Sequence, residues 1–412
     1  MTTANPRAIC LEALNRWEGG SRFSDEILHE ALQTNPLATL DRALLTEIFY
    51  GVLRNLSMLD FLIARLREAA VDRGTRQVLR IGLYQIFRMR TAEHAAVNET
   101  VRLAGRARDL VNAVLRRSLR EKLELQRALD QAPPSIRYSH PKLLVSRWEQ
   151  QFGTAATLEL CRWNNSPAEI YVRANTLKVT PGELLRTAKD AELSDIHPLM
   201  IRVGRLPLSW IANGLCYVQD PSTLLACDLL DPKPGDAVLD ACAAPGGKTS
   251  YIAQLMQDAG EITACDNSVK RLSRLRENLQ RLGVTCVQIL QHDWLAGTLP
   301  GREAAFDKIL VDAPCTNTGV IRRRVDVRWR LSGEDFERMP DRQMHILKSI
   351  APLLKKGGSL VYSSCSIEPE ENQLVIERVA SEIPGLQFVE SRQTLPFRDR
   401  IDGAFAAKFV RT

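Results

Sequence analysis

The sequence predicts a multidomain chain: an all-α N-terminal domain, a small α+β middle domain, and a C-terminal α/β domain built on a largely parallel sheet. Three observations lead there. From Pro6 to about Asp130 apolar residues recur at helical spacing, with no strand-like alternation. The Ala132-Pro133-Pro134 stretch stiffens the chain and disfavours helix before it, which marks a boundary. From Pro232 onward, short apolar runs alternate with helical segments, the pattern of right-handed βαβ crossovers. With 412 residues the chain is also too long for one core.

In the first domain, 1–130, the helical reading rests on Leu44, Leu45, Ile48, Phe49, Val52 and Leu53, and again on Leu79, Leu83 and Ile86. Arg102, Arg106, Arg108, Arg116, Arg117 and Arg120 crowd one short stretch. They suit a phosphate-binding helix face, and equally an ordinary solvated one. The middle domain, 131–230, mixes a helix around Leu143 to Phe152, a β-rich Ile170-Tyr171-Val172-Arg173 and a helix from Pro181 to Ala191. In the third domain, 231–412, strands are expected at Ala237–Asp240, Glu261–Asp266, Val287–Gln291, Lys308–Asp312, Ser359–Ser363 and Ala404–Val410. Helices are expected at Lys248–Met256, Val269–Leu282, Arg342–Leu354 and Glu371–Ala380.

Composition narrows the function. Apolar content of 45% and charged content of 25% are ordinary for a globular protein. The longest apolar runs are too short for a bilayer, and Met1 to Gly20 carries Arg7, Glu12, Arg16 and Glu18 where a signal peptide needs an apolar core. A cytoplasmic protein with no membrane partner is expected. Nine scattered cysteines without CxxC spacing argue against both a disulfide framework and a metal site. The net charge of +6 fits an ordinary enzyme as well as a nucleic-acid binder.

The chemistry concentrates in the third domain. Gly246 and Gly247 sit between a strand ending at Asp240 and a helix starting near Lys248, where missing side chains let a ligand approach the backbone. A phosphate-binding loop would need glycine where Cys242 stands, and GxGxxG is absent. Asp266, about 20 residues beyond the turn, stands where a carboxylate accepts from ribose hydroxyls, and Asp293 follows the third strand. Carboxylates repel phosphates but suit a ribose, an amine and a sulfonium, so S-adenosylmethionine is the expected cofactor. Taken singly, each acid is equally a polar strand end.

Cys315, in Asp312-Ala313-Pro314-Cys315, and Cys365, in Ser363-Ser364-Cys365-Ser366, each close a predicted strand. A cysteine thiolate can add to C6 of a pyrimidine and make C5 nucleophilic enough to take a methyl group. Asp312 is placed to hold the cytosine N3 and amino edge. Cys10, Cys161, Cys216, Cys227 and Cys286 read as small buried hydrophobes. The connection from Thr316 to about Phe336 holds Arg322, Arg323, Arg324, Arg328, Trp329 and Arg330, which suit single-stranded RNA; an acid-rich protein is the alternative partner.

These residues resemble a known family. Asp240-Ala241-Cys242-Ala243-Ala244-Pro245-Gly246-Gly247-Lys248-Thr249, then Asp312-Ala313-Pro314-Cys315, then Ser364-Cys365-Ser366 with Glu370-Glu371-Asn372, are similar to the motifs of RNA (cytosine-5)-methyltransferases. Arg173-Ala174-Asn175-Thr176-Leu177-Lys178 and Gln219-Asp220-Pro221-Ser222 look like elements upstream of that catalytic domain. Arg42-Ala43-Leu44-Leu45-Thr46-Glu47 and Leu110-Val111-Asn112-Ala113-Val114-Leu115-Arg116-Arg117 resemble the NusB helical RNA-binding fold. The combination resembles the bacterial 16S ribosomal RNA methyltransferases of the Fmu or Sun type.

The resemblance implies a Rossmann-like catalytic domain and methylation of a cytosine C5 in small-subunit ribosomal RNA by a monomer. It implies Cys365 as nucleophile, with Cys315 assisting product release, the reverse of the DNA enzymes. It also implies cofactor contacts from Cys242, Ala243, Ala244, Pro245, Gly246, Gly247 and Lys248, and from Asp266, Asp293 and Asp312. The family usually has Ser-Gly where this chain has Thr316-Asn317, and proline where it has Val325. Two rival readings are an amino-methyltransferase, which needs no cysteine, and a ribosome-assembly or antitermination factor without activity.

Overall fold

Helices Pro6–Gly19, Ser24–Thr34, Thr39–Arg54, Leu56–Leu66, Arg73–Arg88, Glu93–Val101, Arg108–Arg120 and Lys122–Asp130 account for the first part of the chain in the computed structural model, which describes residues 5–412. Their starts follow capping chemistry. Asn5 accepts from Arg7 N, with Pro6 opening the first helix, and Asp72 accepts from Thr75 N at 3.0 Å. Leu45, Ile48, Phe49, Val52, Leu79 and Leu83 are fully buried in one core, as their spacing predicts. Arg80 is buried there too, held by Asp60 at 2.7 Å and Glu18 at 3.0 Å.

The chain divides into two compact units. One comprises the chain through Ser166 together with Ile321–Leu331; the other comprises Pro167–Val320 and Ser332–Thr412. The helix expected near Leu143–Phe152 runs over Lys142–Asn165 and is broken at Gly153 (φ 79°).

The second unit holds two sheets. β1 (Ile170–Ala174), β2 (Ala191–Leu193), β3 (Met200–Val203) and β4 (Cys216–Val218) form an antiparallel sheet in the order β2-β3-β1-β4. The expected Pro181–Ala191 helix stops at Leu185, and Ala191 already belongs to β2. The larger sheet contains β5 (Ala237–Asp240), β6 (Glu261–Asp266), β7 (Val287–Gln291), β8 (Phe306–Asp312), β9 (Leu354–Ser364), β10 (Leu386–Thr394) and β11 (Ala404–Arg411). Its order is β10-β11-β9-β8-β5-β6-β7. Strands β5 to β9 pair in parallel, whereas β11 is antiparallel to β9 and β10 to β11.

The last expected strand is present as β11, antiparallel in the largely parallel sheet, and β10 is an addition to the expected set. β10 is an edge strand whose outer residues are mostly polar and exposed, so it carries little hydrophobic signal. The helix expected at Arg342–Leu354 spans Gly333–Ile350: a Ser332–Asp335 capping box starts it earlier, and Pro340 lies inside it. Leu354 opens β9 instead. The last expected helix runs over Gln373–Glu382. No helix of the described residues is long and apolar enough to cross a membrane.

Candidate active site

β5 lies between β6 and β8, so the chain leaves it toward one side through β6 and β7 and returns on the other through β8 and β9. The carboxyl end of a strand at such a reversal opens a crevice. The turn after Asp240 fills it. Ala241 N donates to Leu310 O (2.9 Å) and Ala243 N to Cys265 O (2.8 Å), stitching the turn to both neighbouring strands. Gly246 has φ 106°, and a Cβ there would meet Leu275 at 2.7 Å, so only glycine fits. Arg173, wholly buried on β1, donates to Gly247 O (2.8 Å) and Ser250 Oγ (2.8 Å). Asn175 donates to Leu282 O and accepts from Gln254, both at 2.8 Å. The upstream Arg-Ala-Asn motif thus braces the turn and the helices beside it.

Acids converge on this turn. Asp266, with its side chain 2% exposed, accepts from Ala244 N (3.3 Å), Ser268 N (3.0 Å) and Arg271 (3.2 Å). Asp293 lies in the exposed turn after β7 and accepts from Leu295 N. Asp240 is fully buried; one oxygen accepts from Thr249 Oγ1 (2.7 Å) and the other has no partner. Burial pushes its pKa up to about 7, with the Asp312 and Asp266 charges adding and Thr249 and Lys248 opposing. An unsatisfied buried carboxylate oxygen in a field of acids suits a cationic ligand and disfavours a phosphate. Sulfonium and ammonium groups meet that requirement, so the residues present fit S-adenosylmethionine.

The two cysteines follow neighbouring strands, and β8 and β9 pair Asp312 with Ser363. Cys315 Sγ and Cys365 Sγ lie 3.1 Å apart. Cys315 is buried and Cys365 partly exposed. The Cys315 thiol is pushed well above the usual range, first by its hydrogen bond with Cys365, then by burial and by the charges of Cys365 and Glu371. Asp312 links the thiols to the cofactor turn: Lys248 Nζ stands 2.7 Å from Oδ2, and Ser363 Oγ donates to Oδ1 at 2.9 Å. Burial lowers the Lys248 pKa, but Asp312 outweighs it and the ammonium is held charged.

The departures from the family pattern have a structural account. Asn317 sits at φ 59°, a left-handed conformation that glycine adopts freely and asparagine tolerates better than most residues. Its amide donates to Cys315 O (2.6 Å) and its oxygen accepts from Cys365 Sγ (3.2 Å). Thr316 keeps the hydroxyl that serine would supply, bonding Ser366 Oγ at 3.1 Å and the Glu371 carboxylate. Glu371 also accepts from Thr316 N and Gln343, both at 2.9 Å. Gly319 donates to Cys365 O (3.0 Å) and accepts from Gly403 N (2.8 Å); a Cβ would meet Gly403 O at 2.6 Å. Sequence alone marks Glu371 only as part of a motif and leaves Gly319 and Gly403 unmarked.

The arginine-rich connection is corrected. Ile321–Leu331 folds as part of the helical unit instead of as an open RNA-binding loop. Arg328 is fully buried, donating to Ser139 O, Asn164 O and Asn165 Oδ1. Arg322 lies 3.9 Å over the Trp163 ring, and Trp329 donates to Leu53 O. Val325 packs in the helical core, where a proline would serve equally at the first position of its short helix. Arg323 and Arg324 are exposed. By contrast Arg102, Arg106, Arg108, Arg116, Arg117 and Arg120 all lie on the surface.

Comparison with known proteins matches three segments of the chain. Residues 227–410 match the model of the 16S rRNA methyltransferase RsmB/F family, residues 4–120 the NusB family, and residues 140–203 the ferredoxin-like domain of RsmF/B-like methyltransferases. The chain is 34% identical to the probable ribosomal RNA small subunit methyltransferase B of Bacillus subtilis, covering 94% of this chain and 90% of that one. It is 35% identical to the ribosomal RNA small subunit methyltransferase B of Yersinia pseudotuberculosis, over 99% of both. The crystal structure of PH0851 aligns with a TM-score of 0.80 at 26% identity, over 99% of this chain and 98% of that one. With an all-helical NusB-like domain, a ferredoxin-like α+β domain and a Rossmann-like domain whose turn fits S-adenosylmethionine, the chain belongs to the ribosomal RNA small subunit methyltransferase B family, whose methyl donor is S-adenosylmethionine.

Proposed function

We propose that this protein methylates C5 of a cytosine in small-subunit ribosomal RNA through a covalent bond between Cys365 and C6. The observation that carries the reading is the thiol pair, 3.1 Å apart, joined to the cofactor turn by the Lys248–Asp312 ion pair. S-adenosylmethionine supplies an electrophilic methyl group when bound. Cys242 through Lys248 would hold it from the turn, Asp266 would accept from the ribose hydroxyls and Asp293 from the adenine amino group, and Asp312 would border it. Asp312 also faces the cytosine N3 and amino edge, favouring the charge distribution that addition at C6 requires. The Cys365 thiolate forms a bond to C6, C5 takes the methyl group, a base takes the C5 proton, and the electrons of that C–H bond re-form the C5–C6 double bond and expel the Cys365 thiolate. Cys315, whose environment keeps its thiol protonated, assists that release.

The functional divisions are 1–130 for RNA binding, 131–230 as a linker and RNA-binding domain, and 231–412 for catalysis, in a cytoplasmic monomer. An amino-methyltransferase would leave the thiol pair unused. An inactive assembly factor would have no need of a braced cofactor turn.

The test separates the two thiols. Cys365→Ala should abolish methyl transfer and any covalent RNA adduct, whereas Cys315→Ala should still attack but release poorly, leaving complexes that survive a denaturing gel. Adducts from Cys365→Ala and none from Cys315→Ala would swap the roles. Full activity in both variants would end the thiol mechanism and restore the amino-methyltransferase reading.

A further inference from the structure

We infer that Cys315 and Cys365 also form a site of reversible oxidation, at which hydrogen peroxide converts the catalytic thiol pair to a disulfide. The inference rests on the proposed role of the pair only for its effect on activity. The two sulfurs stand 3.1 Å apart, in the one thiol–thiol hydrogen bond among the described residues. A disulfide needs a separation of about 2.05 Å, so closing the bond asks for a movement of roughly one ångström.

The pair has the asymmetry that such chemistry requires. Cys365 is partly exposed, directly follows the end of β9, and its sulfur meets the Asn317 amide oxygen at 3.2 Å. It is the thiol a small oxidant reaches first. Cys315 is buried, and its sulfur lies 3.1 Å from that of Cys365, within reach of a modified Cys365 sulfur. The remaining cysteines lack this arrangement. Cys10, Cys161, Cys216, Cys227 and Cys265 are buried, and the partly exposed Cys242 and Cys286 are pushed up by burial and by neighbouring carboxylates.

The chemistry closes in two displacements. The Cys365 sulfur attacks one peroxide oxygen; the O–O bond breaks, and the departing hydroxide takes a proton to leave as water. The resulting sulfenic acid is attacked by the Cys315 sulfur; the S–O bond breaks, and a second water leaves with the Cys315 proton. Two thiols are oxidised to one disulfide while one peroxide is reduced to two waters. A thiol reductant reverses the change by exchange. Without Cys315, a Cys365 sulfenic acid has no neighbouring thiol and proceeds to sulfinic and sulfonic acids, which reductant does not reverse.

The full-length protein, free of RNA and cofactor, is treated with hydrogen peroxide, digested under non-reducing conditions and analysed by mass spectrometry. A peptide linking Cys315 to Cys365, two hydrogens lighter than the sum of its parts, is expected. Methyl transfer should be lost on treatment and regained with dithiothreitol. Cys286→Ser should behave as the parent, and Cys315→Ala should accumulate Cys365 sulfinic acid that dithiothreitol does not reduce. Absence of the linked peptide, or a Cys315→Ala protein whose Cys365 stays reducible, overturns the proposal. The peptide is read without any activity, so a disulfide in a protein whose Cys365→Ala variant still methylates would remove the covalent mechanism alone. A trapped RNA adduct with no disulfide would remove the redox site alone.

Discussion

A carboxylate as buried as that of Glu371 persists only where donors replace water. Here they come from beside both cysteines: Thr316 follows Cys315, and Ser366, bonded to Thr316, follows Cys365. Burial raises the Glu371 pKa, with hydrogen bonds from Ser366, Thr316 and Gln343 opposing. Glu371→Ala strands several donors at once and should cost roughly 2–4 kcal/mol in thermal or denaturant unfolding; an unchanged midpoint would make the network ornamental. Asp266→Ala should weaken S-adenosylmethionine by about 1.5–3 kcal/mol, the value of hydrogen bonds to a charged group, and equal calorimetric affinities would count against its ribose role. Asp240 gives a pH dependence. Its folded pKa of about 7 lies above the unfolded value, so its stability contribution is complete below about pH 4 and is lost as pH rises toward 7. A cationic cofactor favours the ionised form, so binding near pH 6.5 should release a proton and tighten as pH rises to 8, by at most about tenfold per unit. Calorimetry in buffers of different ionisation enthalpy counts that proton; none released would place Asp240 outside the cofactor's field. The glycine turn and both thiols were legible because motifs mark them in sequence. Glu371 and Arg173 also lie in motifs, which give their place but not their partners, while Gly319 and Gly403 carry no mark; all four act through partners distant in the chain, which periodicity does not reveal.

At the scale of elements, apolar runs announced the strands, and β5 to β9, including the half-exposed edge strand β7, stand where they were expected, apart from their ends. β10 did not, because beyond Val389 it is a run of polar residues, Glu390-Ser391-Arg392-Gln393-Thr394. Sequence and structure differ most at Ile321–Leu331, where the arginines and tryptophan suit RNA but Arg328 and Trp329 bond to protein oxygens. Charge alone cannot distinguish a guanidinium that meets phosphate from one that, like Arg328, meets three protein oxygens. Asp326 shows why the segment is fixed. Its carboxylate accepts from Ser24 N (2.8 Å) and Ser24 Oγ (2.7 Å) at the start of helix Ser24–Thr34, and from Trp17 Nε1 (3.2 Å). Replacing it by alanine removes an acceptor at a helix start and leaves Arg330 without its carboxylate. Asp326→Ala should lower stability by about 2–3 kcal/mol, seen as a lower unfolding midpoint of the helical unit. Arg323→Ala, at an exposed position, should leave that midpoint within about 0.5 kcal/mol.

For the whole molecule, the division of labour follows which residues each unit owns. Every proposed cofactor residue and both thiols lie in the unit containing Pro167–Val320 and Ser332–Thr412, whereas the surface arginines of the Arg108–Arg120 helix and the Ile321–Leu331 segment belong to the other. Removing residues 1–128 therefore has two separable consequences. It deletes the arginine face, so RNA affinity should fall and its salt dependence flatten, by about 0.7–0.9 in the log–log slope for each phosphate no longer neutralised. It also removes Ser24, Leu53 and Trp17, so Val325, Asp326 and Trp329 are deprived of their packing and hydrogen bonds. The segment should then be cut by protease at positions that the full chain protects. S-adenosylmethionine affinity should stay within about twofold, because the turn keeps its braces from Arg173 and Asn175. Calorimetry with the cofactor, salt-series RNA binding and limited proteolysis read the three effects independently. Unchanged RNA affinity and slope would move the RNA-binding face out of the helical unit; an intact Ile321–Leu331 segment would mean that its fold does not depend on the helices it packs among; and abolished cofactor binding would show that the two units do not fold independently.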